Sequence, residues 1–178
     1  MDKEKLLIVV DMQKDFVDGA LGTKEAVAIV PSAVEKVKKE KEKGTSIWFT
    51  RDTHGEDYLQ TQEGEKLPVP HCIRGTAGWE IIEELAPYVE AVIDKPSFGS
   101  LELARRVSEA GYREVELIGL CTDICVVSNA LLIKAAAPEV RVSVDADCCA
   151  GVSPATHEAA LLTMETCQVE VKRGESEA

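Results

Sequence analysis

The sequence predicts an α/β fold in which a parallel sheet is covered by helices on both faces, and three observations lead there. Short β-rich runs recur at 6–10, 46–50, 91–94, 115–119, 140–144 and 168–172. Helical stretches separate most of them, the β-α repeat of a parallel sheet, whose crossovers need a dozen or more residues. Several runs, such as Leu6-Leu7-Ile8-Val9-Val10, are apolar without alternation. That is the pattern of strands buried on both faces.

Taken in order, the run 6–10 stops at Asp11, and Pro31 to Lys43 reads as a helix with proline in its first turn and Gly44 as its stop. Its lysines and glutamates from 35 to 43 read as a solvated face. The run 46–50 leads to Asp52. Gly55 to Gly78 has little periodicity and carries Gly64, Pro68, Pro70 and Gly75, so it reads as a long loop, a type of segment that often carries function. The run 91–94 stops at Lys95, and the helix Leu101 to Ala110 stops at Gly111. After 115–119, Thr122 or Asp123 is placed to cap a helix running to Ala137. Pro154 to Glu165 is the last helix, and the tail 174–178 is expected to fray.

At 178 residues and 45% hydrophobic content the chain can bury one sizeable core, so 1–178 is expected to be a single domain. A net charge of -12 argues against nucleic acid or an anionic membrane as partner, since both need clustered Lys and Arg. The charged start Met1 to Lys5 and the short apolar run after it make neither a signal peptide nor a span, which points to a cytoplasmic protein. The six cysteines (72, 121, 125, 148, 149 and 167) are expected to be reduced thiols. No CxxC pair is present, so a structural zinc cluster is not expected.

In an open α/β sheet, ligands bind outside the carboxyl ends of the strands. Asp11, Asp52, Lys95 and Cys125 all fall there. Cys125 sits where Gly119-Leu120-Cys121-Thr122-Asp123-Ile124 leaves a strand and starts a helix, whose N-terminus favours a thiolate. A thiolate attacking an amide needs a compensating charge, a carboxyl group that shuttles a proton, and donors for the oxyanion. Singly, Cys125 could be a small buried residue, Lys95 a surface charge and Asp11 a strand-end cap. Their shared placement at strand ends favours the chemical reading. Asp52, His54 and His71 form a second set, fit for Zn²⁺, Fe²⁺ or Mn²⁺, or else a strand-end cap and a loop-ordering residue. His157, in the last helix and apart from the other two histidines, reads as structural.

The stretches Val10 to Phe16, Thr50 to His54, Pro70 to Thr76, Lys95 to Phe98, Gly119 to Val126 and Asp145 to Gly151 together resemble the isochorismatase-like cysteine hydrolases, and among them the nicotinamidases. The resemblance implies a six-stranded parallel sheet with helices on both faces, a three-layer sandwich. It implies an Asp11-Lys95-Cys125 triad, an oxyanion hole from the backbone of Cys121 and Cys125, and a cis peptide before Cys121. It also implies a divalent metal on Asp52, His54 and His71, with Glu63 or Glu65 as a further ligand, and Phe16 packed on the substrate ring. No organic cofactor is implied, and the partners are a small amide and further copies of the chain, as a dimer or tetramer. Thr53 stands where many relatives have tryptophan, and Pro68 near where nicotinamidases place an aromatic ring. Members that cleave isochorismate lack the cysteine retained here. The expected activity is hydrolysis of an amide C–N bond through a thioester, with nicotinamide first. The alternatives are a carbamoyl or ureido amidase, whose substrate carboxylate would want an arginine such as Arg51 or Arg74, and a non-catalytic binding relative.

Overall fold

The computed structural model describes residues 3–174, so the tail expected to fray lies, beyond Gly174, outside the described residues. Six strands form one parallel sheet: β1 (Lys3–Val10), β2 (Ser46–Asp52), β3 (Ala91–Lys95), β4 (Tyr112–Leu120), β5 (Arg141–Ala150) and β6 (Glu170–Lys172). Their order across the sheet is β3-β2-β1-β4-β5-β6. The helices are α1 (Lys14–Val17), α2 (Lys24–Glu42), α3 (Gln62–Lys66), α4 (Leu101–Ala110), α5 (Val127–Ala136) and α6 (Pro154–Thr166).

The central strand shows why its sequence does not alternate. Leu6, Ile8 and Val10 of β1 join a core with Leu103 and Val107 of α4, Ile133 of α5 and Leu161 and Met164 of α6. Leu7 and Val9 join a second core on the other face, with Ala33 and Val37 of α2. Full burial of one such leucine or valine contributes about 1.5–3 kcal/mol, so both faces are strongly specified.

Helix ends follow local chemistry. Ser100 caps α4 by accepting from Leu103 N–H, and left-handed Gly111 (φ 76) ends it. Ser153 and Thr156 form a capping box around Pro154 at the start of α6. Two expectations fail. α2 begins at Lys24, capped by Thr23, so Pro31 lies inside the helix on an exposed face rather than in the first turn. Neither Thr122 nor Asp123 caps α5: a wide π-type turn over 122–126 precedes it, and no side chain caps that turn. Their side chains bond elsewhere, to His157 and Val152. The stretch 55–78 is a loop that folds on itself, holding the short helix α3, which Thr61 caps.

From β1 the chain moves outward through β2 to β3, then returns to β1's other side for β4 and continues to β6. A crevice opens beyond the carboxyl ends of β1 and β4, where the order reverses. Gly119 (φ 117) makes the approach possible there, because a Cβ at this position would stand 2.1 Å from the Val10 carbonyl oxygen.

Under α2, away from those carboxyl ends, a charge network ties helix to sheet. Buried Glu116 of β4 meets Lys36 at 2.8 Å and Lys5 at 2.5 Å, and Lys5 also reaches Glu40 at 3.1 Å. Glu40 accepts from Thr45 Oγ1 at 2.7 Å and Lys43 at 3.0 Å. Burial pushes its carboxyl up, but the bonds from Thr45, Lys43 and Lys5 win and hold it at about 2. A folded pKa below the unfolded value of about 4.3 gives stability that is present above that value and lost as pH falls toward the folded one. Glu40→Gln is expected to lower unfolding free energy at neutral pH by about 1–3 kcal/mol. In urea titrations the deficit should shrink steadily below pH 4. A deficit of constant size down to pH 3 would contradict this account.

Candidate active site

Four strands in a row deliver the charged groups. Lys95 ends β3, Asp52 ends β2, Asp11 follows β1, and Cys125 lies in the wide turn after β4. Lys95 is fully buried, with its Nζ 2.7 Å from Asp11 Oδ2, 3.3 Å from Cys125 Sγ and 3.4 Å from Asp52 Oδ1. It also donates to the Ser97 carbonyl at 3.0 Å. Asp11 takes a left-handed backbone conformation (φ 47), and its Oδ1 accepts from Thr50 Oγ1 at 2.6 Å. The three residues expected at separate strand ends therefore meet in one buried cluster.

The charges of the cluster follow from its burial. Desolvation opposes the Lys95 ammonium, but Asp11, Cys125 and Asp52 raise its pKa above the usual lysine value. Desolvation raises Asp11, with Lys95 opposing. For Cys125, burial and then Asp11 push the thiol well above its ordinary value, and Lys95 counters them only in part. Burial first, and the Asp11 carboxylate second, thus work against the preference for thiolate expected of a helix N-terminus, which fits a role for Asp11 as the group that takes the thiol proton.

The second set is also brought together, with one addition. Asp52, His54, Glu63 and His71 each place one donor atom so that all four lie within 4.8 Å of one another. His54 Nε2 is 2.9 Å and His71 Nε2 3.5 Å from Asp52 Oδ2, while Glu63 Oε1 is 3.6 Å and 3.7 Å from the same two nitrogens. The His71 Nδ1–H donates to the Val69 carbonyl at 2.8 Å, which leaves the Nε2 lone pair facing the cluster. Two imidazoles and two carboxylates with lone pairs converging fit a divalent cation. Glu63 of α3 belongs to the set, and Glu65, exposed two residues on, does not.

Several supporting residues had no assigned role in the sequence reading. Gln13 clamps the Asp52 peptide, donating from Nε2 to its carbonyl at 2.9 Å and accepting from its N–H at 2.8 Å. Buried Tyr58 packs edge-on against His54 and His71, with ring centroids 4.8 Å and 5.0 Å away. Phe16 lies 5.4 Å from His71, ring to ring. The Leu120–Cys121 peptide is cis. Cys125, Cys121, Asp52, Glu63 and His71 open onto one narrow cavity whose apolar wall is Phe16, Leu21, Leu67, Phe98 and Ile124. Among the described residues lining it, none is an arginine. Arg51 and Arg74 both pair with Asp94, and both stack on Trp79, whose indole N–H donates to Thr53. None of the six cysteines is in a disulfide.

Comparison with known proteins agrees with this geometry. Residues 5–176 match the isochorismatase domain. The nicotinamidase/pyrazinamidase of Mycobacterium tuberculosis is 29% identical over 183 aligned positions, covering 94% of this chain and 97% of that protein. The structure of Pyrococcus horikoshii pyrazinamidase in complex with zinc superimposes with a TM-score of 0.83 at 32% identity, covering 96% of this chain and 99% of that one. N-carbamoylsarcosine amidase from Thermoplasma acidophilum superimposes with a TM-score of 0.78 at 26% identity, covering 98% and 99%. With the match spanning nearly the whole sequence, the chain belongs to the isochorismatase domain family.

Proposed function

We propose that this protein is a cysteine amidohydrolase that cleaves an amide C–N bond through a thioester, converting nicotinamide to nicotinate and ammonia. The observation that carries the reading is the meeting of Asp11, Lys95 and Cys125, with Cys125 opening onto the cavity that Asp52, Glu63 and His71 of the four-donor set also line. Relatives acting on nicotinamide and pyrazinamide support the substrate.

In this mechanism Asp11 takes the Cys125 proton as sulfur attacks the amide carbon. Lys95 holds Asp11 in place and balances its charge. The backbone N–H groups of Cys121 and Cys125, at the start of the helical turn, receive the developing oxyanion. Asp11 then gives its proton to the departing nitrogen, ammonia leaves, and Asp11 activates the water that hydrolyses the thioester. Asp52, His54 and His71, joined by Glu63, would hold a zinc, iron or manganese ion. Such an ion, when bound, supplies a Lewis-acid position for the pyridine nitrogen. Phe16 packs on the substrate ring. No organic cofactor enters, and the enzyme is read as one domain over 1–178, cytoplasmic, and assembled as a dimer or tetramer. Among the described residues no helix is long and apolar enough to cross a membrane.

The carbamoyl or ureido reading has a structural neighbour in its favour, but the cavity opposes it. A substrate carboxylate would face Asp52 and Glu63 there, while Arg51 and Arg74 are committed to Asp94. Ammonia release from nicotinamide, pyrazinamide, benzamide and an N-carbamoyl amino acid, with and without added Zn²⁺, Fe²⁺ or Mn²⁺, tests the choice. Nicotinamide and pyrazinamide should lead and benzamide, lacking a ring nitrogen, should lag. Preference for the carbamoyl acid would overturn the reading.

A further inference from the structure

The wide turn 122–126 that carries Cys125 has no side-chain cap of its own. It is tied instead to the chain leaving β5. Buried Thr122 Oγ1 shares a 2.7 Å hydrogen bond with His157 Nδ1 in the first turn of α6. The Asp123 carboxylate accepts from Val152 N–H at 3.1 and 3.2 Å. Gly151 permits close packing against the same helix, since a Cβ there would stand 3.0 Å from the Cα, Cβ and N of His157.

His157 is itself well fixed. Its N–H donates to the Ser153 carbonyl at 3.0 Å, inside the Ser153–Thr156 capping box. Farther along α6, Leu161 and Met164 are fully buried in the core beside β1 and β4. The ring is not part of the wall of the narrow cavity, so it acts on the site only through what it touches. What it touches is the residue between Cys121, at the cis peptide, and the turn leading to Cys125.

We propose that His157 is a positioning residue: through Thr122 it holds the 122–126 turn so that Cys125 and the backbone N–H groups around it stay in register with Asp11 and Lys95. This rests on the reading of Cys125 as nucleophile. The hydrogen bond spans from one helix start to another, and the turn lacks any cap that would replace it. A displacement of about 1 Å at a reacting group can cost on the order of 10²-fold in rate, so a single tie at the base of the turn suffices to matter.

The test uses His157→Leu, which removes the partner, Thr122→Val, which removes the hydroxyl but keeps the shape, and His157→Asn, whose amide reaches the place of Nδ1. Expected for the first two is a fall in nicotinamide kcat of about 10- to 100-fold with KM near the wild-type value. Alkylation of Cys125 by iodoacetamide, mapped by mass spectrometry, should slow with it, and the double variant should be no worse than the worse single. His157→Asn should recover most of the loss. If His157→Leu does not fold, Thr122→Val against His157→Asn carries the comparison. Unchanged kcat and alkylation in Thr122→Val, or a lowered melting temperature with both rates intact, would overturn the proposal. The alkylation rate needs no substrate, so failure of wild type to hydrolyse any amide would sink the substrate reading and leave this one standing. Selective alkylation of a cysteine other than Cys125 would sink the nucleophile reading instead.

Discussion

Replacing Cys125 with alanine is expected to abolish amide hydrolysis, by about 10³-fold or more, and Asp11→Asn to fall nearly as far. The reason is geometric. Sulfur, carboxylate and ammonium share one buried contact set, with Lys95 within 2.7 Å of Asp11 and 3.3 Å of Cys125. Groups that act as one unit lose their joint effect when any is removed, so Asp11→Asn in a Cys125→Ala background should cost little more. Losses that multiply would contradict a shared step. Lys95→Met adds a second expected result. It leaves the buried Asp11 and Asp52 carboxylates without their cation, a change that costs about 3–5 kcal/mol in comparable buried pairs. Thermal melting beside the ammonia assay separates that loss from the chemical one, because Cys125→Ala should melt near wild type.

His71→Ala, or exhaustive chelation, is expected to cut kcat/KM for nicotinamide by about 100-fold or more, mostly through KM. Cys125 should still alkylate close to the wild-type rate. Cys125 is not among the four donors, and attack by sulfur requires no metal-bound hydroxide. His54→Ala should behave alike. Elemental analysis after reconstitution provides the independent check. Absence of any divalent ion there, or unchanged kinetics in both histidine variants, would remove the donor set from the function and with it the main reason to favour a pyridine ring.

How legible the site was in the sequence depended on the kind of residue. Asp11, Asp52, Lys95 and Cys125 end or follow strands, and strand ends are readable from apolar runs that stop at a polar residue. The same pattern gave the sheet, because β1 is buried on both faces and shows it. Glu63 was harder. Glu63 and Glu65 differ by about 200° around a helix, so only the existence of α3 selects one of them, and its five residues carry too little periodicity to announce it. Gln13 and Tyr58 support Asp52, His54 and His71 through backbone and ring contacts that no spacing rule marks. The upward push on the Cys125 thiol was hidden for a related reason. A helix terminus can be inferred from sequence, but full burial beside two carboxylates cannot. Pro31 misled because proline marks a first turn on average, whereas Thr23, eight residues earlier, supplied the cap here.

The central position of β1 has a consequence for how the chain is made. Leu6 pairs with Ser46 on one side and with Val115 on the other, so half of the strand's hydrogen bonds close early and half wait for a distant segment. During synthesis the first three strands can assemble while β1 still presents a bare edge, apolar over Leu6 to Val10. Contacts of such sequence separation form slowly, and an open edge of this kind invites pairing with another nascent chain. Asp11 follows β1 and Cys125 follows β4, the two strands whose pairing covers that edge, so the candidate site and the protection of the edge arrive in the same event.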